Sequence, residues 1–211
     1  MNFSSDSYKE TLNIVRRELK GKDFHKIAER AGGKFKKGCI LIPYINHTLK
    51  IDTGNLEVYS LDSSSRVEPR VEILTLHYLK DAKNIKPSGR LINFKEIPSG
   101  MSYYPSFHNR TEKVLLKEFR DDFNSFKRIC ERLGGEKCQQ GDICYRIRTF
   151  PLLYVTFIVW EGEEGLPPGI SILFDETSPH HLLSEDLAIL AELLCEEMVS
   201  LRKDVIYGSR V

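Results

Sequence analysis

The sequence predicts an α+β fold in which a mostly antiparallel sheet is flanked by helices. Residues 27–33 read IAERAGG and residues 129–135 read ICERLGG, so the same pattern recurs at an offset of 102 residues. A β-rich stretch and then a helical stretch follow each copy. We therefore predict a single domain over residues 1–211, built from two pseudo-repeated helix–three-strand–helix halves at about 23–83 and 125–203.

Two helices are predicted at the start of the chain. Apolar residues recur at helical spacing over residues 8–20, after a capping-box pattern that starts at Ser7. Asp23 is the predicted N-cap of the second helix, which ends at the glycine pair 32–33. Pro69 is expected to begin the next helix. Between these helices, strands are predicted over residues 39–45, 49–52 and 56–61.

The segment that connects the halves, residues 84–110, is predicted to be an irregular loop because it is rich in proline and glycine. Residues 111–133 are predicted to be helical, with a break near Asp121 and Asp122. Ser184 is the predicted cap of the last helix. Three strands are expected over residues 142–147, 152–160 and 169–174; the second is almost continuously apolar, as a central strand would be.

Composition argues against two classes of partner. The chain has 31 basic and 30 acidic residues, so the electrostatic footprint of a nucleic-acid-binding protein is missing. No apolar run is long enough to cross a bilayer, and the first residues lack a signal-peptide profile. We therefore expect a cytoplasmic protein that binds neither nucleic acid nor membrane. The oligomeric state does not follow from the sequence.

The five cysteines are interpreted as reduced thiols. An odd number of cysteines without a secretion signal argues against a disulfide framework. Cys138 and Cys144 are six residues apart, which is not a usual spacing of zinc or iron–sulfur ligands. Cys130 and Cys195 are expected to pack as small apolar side chains.

Several stretches match one family: DFHKIAERAGG from Asp23, ILTLHYL from Ile73, SGRLINFKEIPSG from Ser88, YYPSF from Tyr103, residues 150–162 and ILFD from Ile172. In these stretches the chain resembles the uncharacterised family catalogued as domain of unknown function 3786. That family has no established activity, but some relatives carry a preceding cysteine-rich segment, and these are common in anaerobes with iron–sulfur and corrinoid metabolism. The resemblance implies a corrinoid or iron–sulfur association. The cysteine-rich segment is missing before residue 23, which argues against a cluster of its own.

A group of aromatic and basic residues is the best candidate for a ligand site. Tyr103, Tyr104, Phe107, His108 and Arg110 lie within eight residues. Aromatic rings can stack on a flat ligand, and an arginine can clamp a carboxylate or a phosphate. The alternative is that these rings fix the connecting segment to the core.

Five further residues are weaker candidates. His77, on a predicted helix, is suited to bind a metal or move a proton. Trp160 and Glu161 end an apolar strand and are suited to line a pocket. His180 and His181 are adjacent and are weak candidates for a metal site. For each of these residues the alternative is a structural or solvated role.

Two functional hypotheses follow. The first is a non-catalytic binding or accessory module that holds a flat cofactor or a partner protein between the two halves, since the familiar catalytic motifs are missing. The second is an enzyme of unrecognised type that uses His77, His108 or the pair His180 and His181 with Glu161. The second requires at least two of these groups within hydrogen-bond reach in one pocket.

Overall fold

The computed structural model describes residues 5–208, with the side chains of residues 7–203. The helices are α1 (Ser5–Leu19), α2 (Phe24–Arg30), α3 (Pro69–Asp81), α4 (Gly100–Arg110), α5 (Glu112–Phe119), α6 (Phe123–Arg132) and α7 (Ser184–Gly208). The strands are β1 (Lys34–Lys36), β2 (Cys39–Tyr44), β3 (His47–Asp52), β4 (Val58–Ser60), β5 (Leu91–Asn93), β6 (Glu136–Lys137), β7 (Ile143–Phe150), β8 (Leu153–Trp160) and β9 (Gly169–Asp175).

The strands form two antiparallel sheets. The first has the order β1-β2-β3-β4, and the second has the order β5-β9-β8-β7-β6. The predicted α+β class, with antiparallel pairing and flanking helices, is confirmed, although the strands divide between two sheets instead of one. β8 lies at the centre of the second sheet, as its apolar sequence predicts.

The second sheet has one covered face and one open face. In β8, Val155, Phe157 and Val159 are buried on the covered face, on which α5 and α6 pack. Alternate residues of a strand point to opposite faces, so Tyr154 and Thr156 belong to the open face.

Among the helices, α1 packs on α3. Within the described residues, none of the helices combines the length and the apolar character that a bilayer crossing requires.

The turn between β7 and β8, residues 150–152, joins the two sheets, and we call it the junction turn. The ring of Phe150 stacks on that of Tyr78 with centroids 4.4 Å apart and lies 5.0 Å from that of Tyr44. The Tyr78 hydroxyl donates to the carbonyl of Ala31 (2.9 Å) and accepts from the N–H of Leu152 (3.2 Å). One side chain of α3 therefore connects the end of α2 to the second sheet.

The helix ends at both glycine pairs have the same geometry. Gly32 and Gly134 have left-handed φ angles of 73° and 74°. The N–H groups of Gly33 and Gly135 each donate, over 2.8 Å, to the carbonyl five residues earlier. The predicted left-handed cap after α2 is confirmed. The internal repeat itself stays a prediction, and each half contains four strands rather than three, because the short strands β1 and β6 follow the glycine pairs.

Of the other predicted N-caps, Asp23 is confirmed and Ser7 is not. Asp23 accepts from the N–H of Lys26 at the start of α2, and Asp122 accepts from the N–H of Ser125 at the start of α6. Asp23 is thus the cap that the sequence predicts, and Asp122 begins α6 at the predicted break near Asp121 and Asp122. α1 already begins at Ser5, so Ser7 lies inside this helix and not at its cap.

The connecting segment 84–110 is largely regular, which corrects the predicted loop. It contains β5, a 3₁₀ turn and the helix α4, which includes Pro105. Aromatic packing explains the difference. The ring of Phe107 stacks on that of Phe94 at 4.2 Å, and the Phe94 ring lies 6.2 Å from that of Phe174 in β9. Burial of these rings outweighs the local proline and glycine signals.

Cys138 and Cys144 form a disulfide, so the expectation of reduced thiols is wrong for this pair. The register of the β6–β7 hairpin places the two residues opposite each other, with Cα atoms 4.9 Å apart. A spacing of six is thus the spacing of cross-strand partners in this hairpin. Because the closed loop is short, the cross-link stabilises the fold by only about 2 kcal/mol in the loop-entropy model. Cys39, Cys130 and Cys195 are free, and two of these, Cys130 and Cys195, are buried as predicted.

Gly32→Ala should destabilise the protein more than Gly134→Ala. A left-handed backbone costs an alanine about 1–2 kcal/mol at either position. A Cβ at position 32 would lie 2.6 Å from the Cβ of Pro151, whereas a Cβ at position 134 has no neighbour within 4 Å among the described atoms. We expect urea titration to show a further loss of about 1–2 kcal/mol of unfolding free energy in Gly32→Ala. Equal losses would contradict close packing of the junction turn on Gly32.

Candidate functional site

The open face of the second sheet carries a cleft of about 240 Å³, which we call the sheet cleft. Tyr154 and Thr156 of β8 form its floor. The segment 87–89, which precedes β5, forms one wall. The β6–β7 hairpin with its disulfide forms the opposite wall.

Thr156 is the unusual residue of the floor. Its side chain is 1% exposed, and its hydroxyl has no hydrogen-bond partner within the described part of the chain. An unsatisfied buried hydroxyl costs about 1–3 kcal/mol, so most such groups in folded proteins are paired. Because the oxygen is itself buried, a ligand with a polar atom at the floor of the cleft would remove this cost once the Thr156 side chain rotates toward it.

Two cationic side chains line the hairpin side of the sheet cleft. The guanidinium of Arg146 lies 4.8 Å from the centroid of the Tyr154 ring and is paired with Glu136 at 2.6 Å. The ammonium of Lys137 is paired with Glu131 at 3.1 Å. These ion pairs are exposed and contribute about 1 kcal/mol or less each. Both cations can therefore exchange their carboxylate partners for an anionic ligand.

Asp175 holds the opposite wall. Its buried carboxylate accepts from the N–H groups of Ser88 (3.1 Å), Gly89 (2.7 Å) and Thr177 (3.0 Å), and from the Thr177 hydroxyl (2.7 Å). Burial raises the pKa of Asp175, but the hydrogen bonds from Thr177, Ser88 and Gly89 outweigh burial and lower the pKa overall. The carboxylate is ionised, and it fixes the segment 87–89 through bonds from Ser88 to Oδ1 and from Gly89 to Oδ2.

His181 holds the preceding part of that segment. Its Nε2–H donates to the carbonyl of Ile85 (3.0 Å), and its Nδ1 accepts from the N–H of Lys83 (3.4 Å). One neutral tautomer satisfies both bonds, and burial lowers the pKa of His181. His180 is exposed. Both ring nitrogens of His181 are thus occupied, and no cluster of three or more metal-ligating side chains occurs among the residues described.

Two of the predicted aromatic and basic residues surround a buried glutamate. Glu112 is 2% exposed and accepts from the Tyr104 hydroxyl (2.9 Å), the Nδ1–H of His108 (2.8 Å) and the N–H of Ile172 (2.9 Å). Burial, together with the bond to Glu112, raises the pKa of Tyr104 to about 12. Sequence reasoning missed Glu112, although its spacing of four from His108 on a helical stretch was a usable signal.

The remaining members of that group also have partners within the chain. Arg110 donates to the Tyr103 hydroxyl (2.6 Å) and forms an ion pair with Glu192 of α7 (3.1 Å). Phe107 is buried. These contacts favour the alternative in which the rings and charges attach α4 to the core. A ligand-binding role for the five residues stays a prediction.

His77 lies apart from the sheet cleft, on α3. Its Nδ1–H donates to both carboxylate oxygens of Asp186 in α7, over 3.0 Å and 2.9 Å. It borders a small pocket of about 180 Å³ with apolar walls, which include Ile73 and Ile189. Sequence reasoning could not find Asp186, because the two residues are 109 positions apart.

The other candidate residues are separate from one another. Trp160 is 45% exposed at the end of β8, and Glu161 is paired with Lys127 over 3.4 Å. Among the described residues, no hydrogen bond joins any two of His77, His108, Glu161 and the histidine pair 180–181. No observation favours the enzymatic alternative.

His181→Gln should weaken the pH dependence of stability. Because burial lowers the pKa of His181 below its usual 6.5, the unfolded chain binds a proton here before the folded chain does. Folding free energy is therefore lost as the pH falls below about 6.5. We expect wild type to lose more unfolding free energy than His181→Gln between about pH 7.5 and about pH 5.5, measured by urea titration. Equal losses would contradict a neutral, buried His181.

Comparison with known proteins places the chain in one family. The model of the family described as Domain of unknown function (DUF3786) matches residues 23–197, which include both sheets and the sheet cleft. No curated protein and no solved structure matches the chain. Since the family model spans more than half of the sequence, the chain belongs to the DUF3786 family of domains of unknown function.

Proposed function

We propose that this chain is a binding or accessory module that holds a small anionic ligand in the sheet cleft. The observation that carries the proposal is the buried hydroxyl of Thr156 at the floor, which has no hydrogen-bond partner among the described residues. A polar atom of the ligand would bond this hydroxyl, and a flat part would pack beside the Tyr154 ring. An anionic group would pair with the Arg146 guanidinium, which lies over that ring.

The size of the cleft limits the ligand. Its volume of about 240 Å³ is below the range of about 300–1,000 Å³ that is usual for drug-sized ligands. A single aromatic ring with a carboxylate or phosphate group fits, whereas a corrinoid macrocycle would place only an edge in the cleft. Association with corrinoid or iron–sulfur metabolism of anaerobes, and a cytoplasmic location, are proposals that rest on the family resemblance and the sequence.

Binding is favoured over catalysis because the buried ionisable groups near the cleft already hold its wall in place. Asp175 and His181 accept from or donate to backbone groups of the segment 83–89, and Asp175 also accepts from Thr177. The proposed role of both residues is therefore to shape the cleft.

Benzoate and inorganic phosphate are suitable first probes, with neutral benzamide as the comparison. We expect saturable shifts of the amide signals of residues 146 and 156 in ¹H–¹⁵N NMR spectra with the anions and weaker shifts with benzamide. Arg146→Gln should weaken binding of the anion about tenfold, because a charge-assisted bond is lost.

Arg148→Gln is the matched control for this experiment. Arg148 is an exposed arginine on the same strand and the same face, but it does not line the cleft. Its substitution should leave the affinity within about twofold of wild type, since exposed charges act weakly at a distance. Equal losses in Arg146→Gln and Arg148→Gln, or no saturable shift with either anion at millimolar concentration, would overturn the proposed site.

A further inference from the structure

We propose that Cys138 and Cys144 form a redox-active dithiol–disulfide pair that exchanges with external dithiols. This activity goes beyond the proposed ligand binding and does not require it. The inference rests on four features of the hairpin. Backbone hydrogen bonds close it without the disulfide, the two cysteines are unequally exposed, cations lie nearby, and a side-chain amide lies beside one sulfur atom.

The hairpin is closed without the disulfide. β6 pairs with β7, and the N–H of Cys138 donates to the carbonyl of Cys144 over 3.0 Å. The two cysteines are also only six residues apart, so the cross-link restricts a short loop. Reduction therefore removes one covalent bond and leaves the backbone pairing in place. A disulfide of this kind can open and close in the folded protein.

The two cysteines differ in exposure. Cys138 is half-buried and lines the sheet cleft, whereas Cys144 is 4% exposed. An external thiolate must reach the sulfur that it attacks, so we expect it to attack the more exposed Cys138. Cys144 is then the leaving sulfur and stays inside the hairpin.

The surroundings stabilise the thiolates that exchange requires. Lys137 and Arg146 line the same cleft as Cys138, and nearby cations favour a thiolate over a thiol. The side-chain amide of Gln140 lies 3.2 Å from the Cys144 sulfur. After a flip of this amide, its N–H group can donate to the thiolate that leaves. The free thiols of Cys130 and Cys195 differ in this respect, because burial raises their pKa values.

The exchange balances with a dithiol as the reductant. Its first thiolate attacks the sulfur of Cys138, the Cys138–Cys144 bond breaks, and the electron pair goes to the Cys144 sulfur, which takes up a proton. The second thiol of the reductant then loses its proton and attacks the mixed disulfide. The reductant leaves as a cyclic disulfide and releases Cys138, which is protonated. Two electrons and two protons pass from the reductant to the protein.

A redox titration of the full chain tests the inference. The protein is equilibrated in buffers of reduced and oxidised glutathione, treated with N-ethylmaleimide under native conditions, and analysed by peptide mass spectrometry. We expect labelling of residues 138 and 144 to rise together in one reversible two-electron transition, with an unchanged circular dichroism spectrum. Cys39, which is free and half-buried in the first sheet, is the internal control, and its labelling should not depend on the buffer ratio. Reduction that occurs only in urea, or a reduced pair that oxidised glutathione does not close, would overturn the proposal.

Single substitutions test which sulfur is attacked. Cys144→Ser should form a mixed disulfide with oxidised glutathione at least about tenfold faster than Cys138→Ser, because Cys138 is the accessible sulfur beside the cations. Equal or reversed rates would overturn the assigned order of attack. Should either variant fail to fold, the titration of the wild-type protein still decides the proposal. Neither measurement uses a ligand, so failure of ligand binding and failure of redox exchange are separate results.

Discussion

The fold depends on the Tyr78 hydroxyl, which pairs two buried backbone groups from different halves of the chain. It donates to the carbonyl of Ala31 and accepts from the N–H of Leu152. An unpaired buried backbone group costs about 1–3 kcal/mol, and both groups lie in turns, outside the helix and strand ladders. The stacked ring of Phe150 and the hydrogen bond from the N–H of Ile45 to the carbonyl of Thr149 complete the connection.

This connection also positions the sheet cleft. β8 leaves the junction turn and carries Tyr154 and Thr156 to the floor, so the anchored end of the strand sets their position. α3 carries Tyr78 and continues into the segment that His181 and Asp175 hold as one wall. The opposite wall is the β6–β7 hairpin, whose disulfide faces the same space. The junction turn thus positions the floor of the cleft. His181 and Asp175 position one wall, and the Cys138–Cys144 disulfide lies in the other.

The local features of the fold could be predicted from the sequence, whereas the site could not. The cap at Asp23, the helix start at Pro69 and the central strand β8 depend on residues close in the sequence. The helix α4 was missed because contacts with Phe94 and Phe174 outweigh its proline and glycine signals. The Cys138–Cys144 bond and the Asp186 partner of His77 depend on register and on packing of distant helices. The free hydroxyl of Thr156 is a missing contact, which no sequence pattern reports.

Through the junction turn, the two sheets form one cooperative unit. Native-state hydrogen exchange of wild type and Tyr78→Phe tests this cooperativity most directly. We predict one common opening free energy for the slowest amides of β2–β3 and of β7–β8, lowered in both sheets by about 2–3 kcal/mol in Tyr78→Phe. Tyr145→Phe is the matched control, because its hydroxyl bonds the exposed carboxylate of Glu131, and it should cost less. Unequal opening free energies in wild type, or a loss confined to one sheet in Tyr78→Phe, would contradict the account.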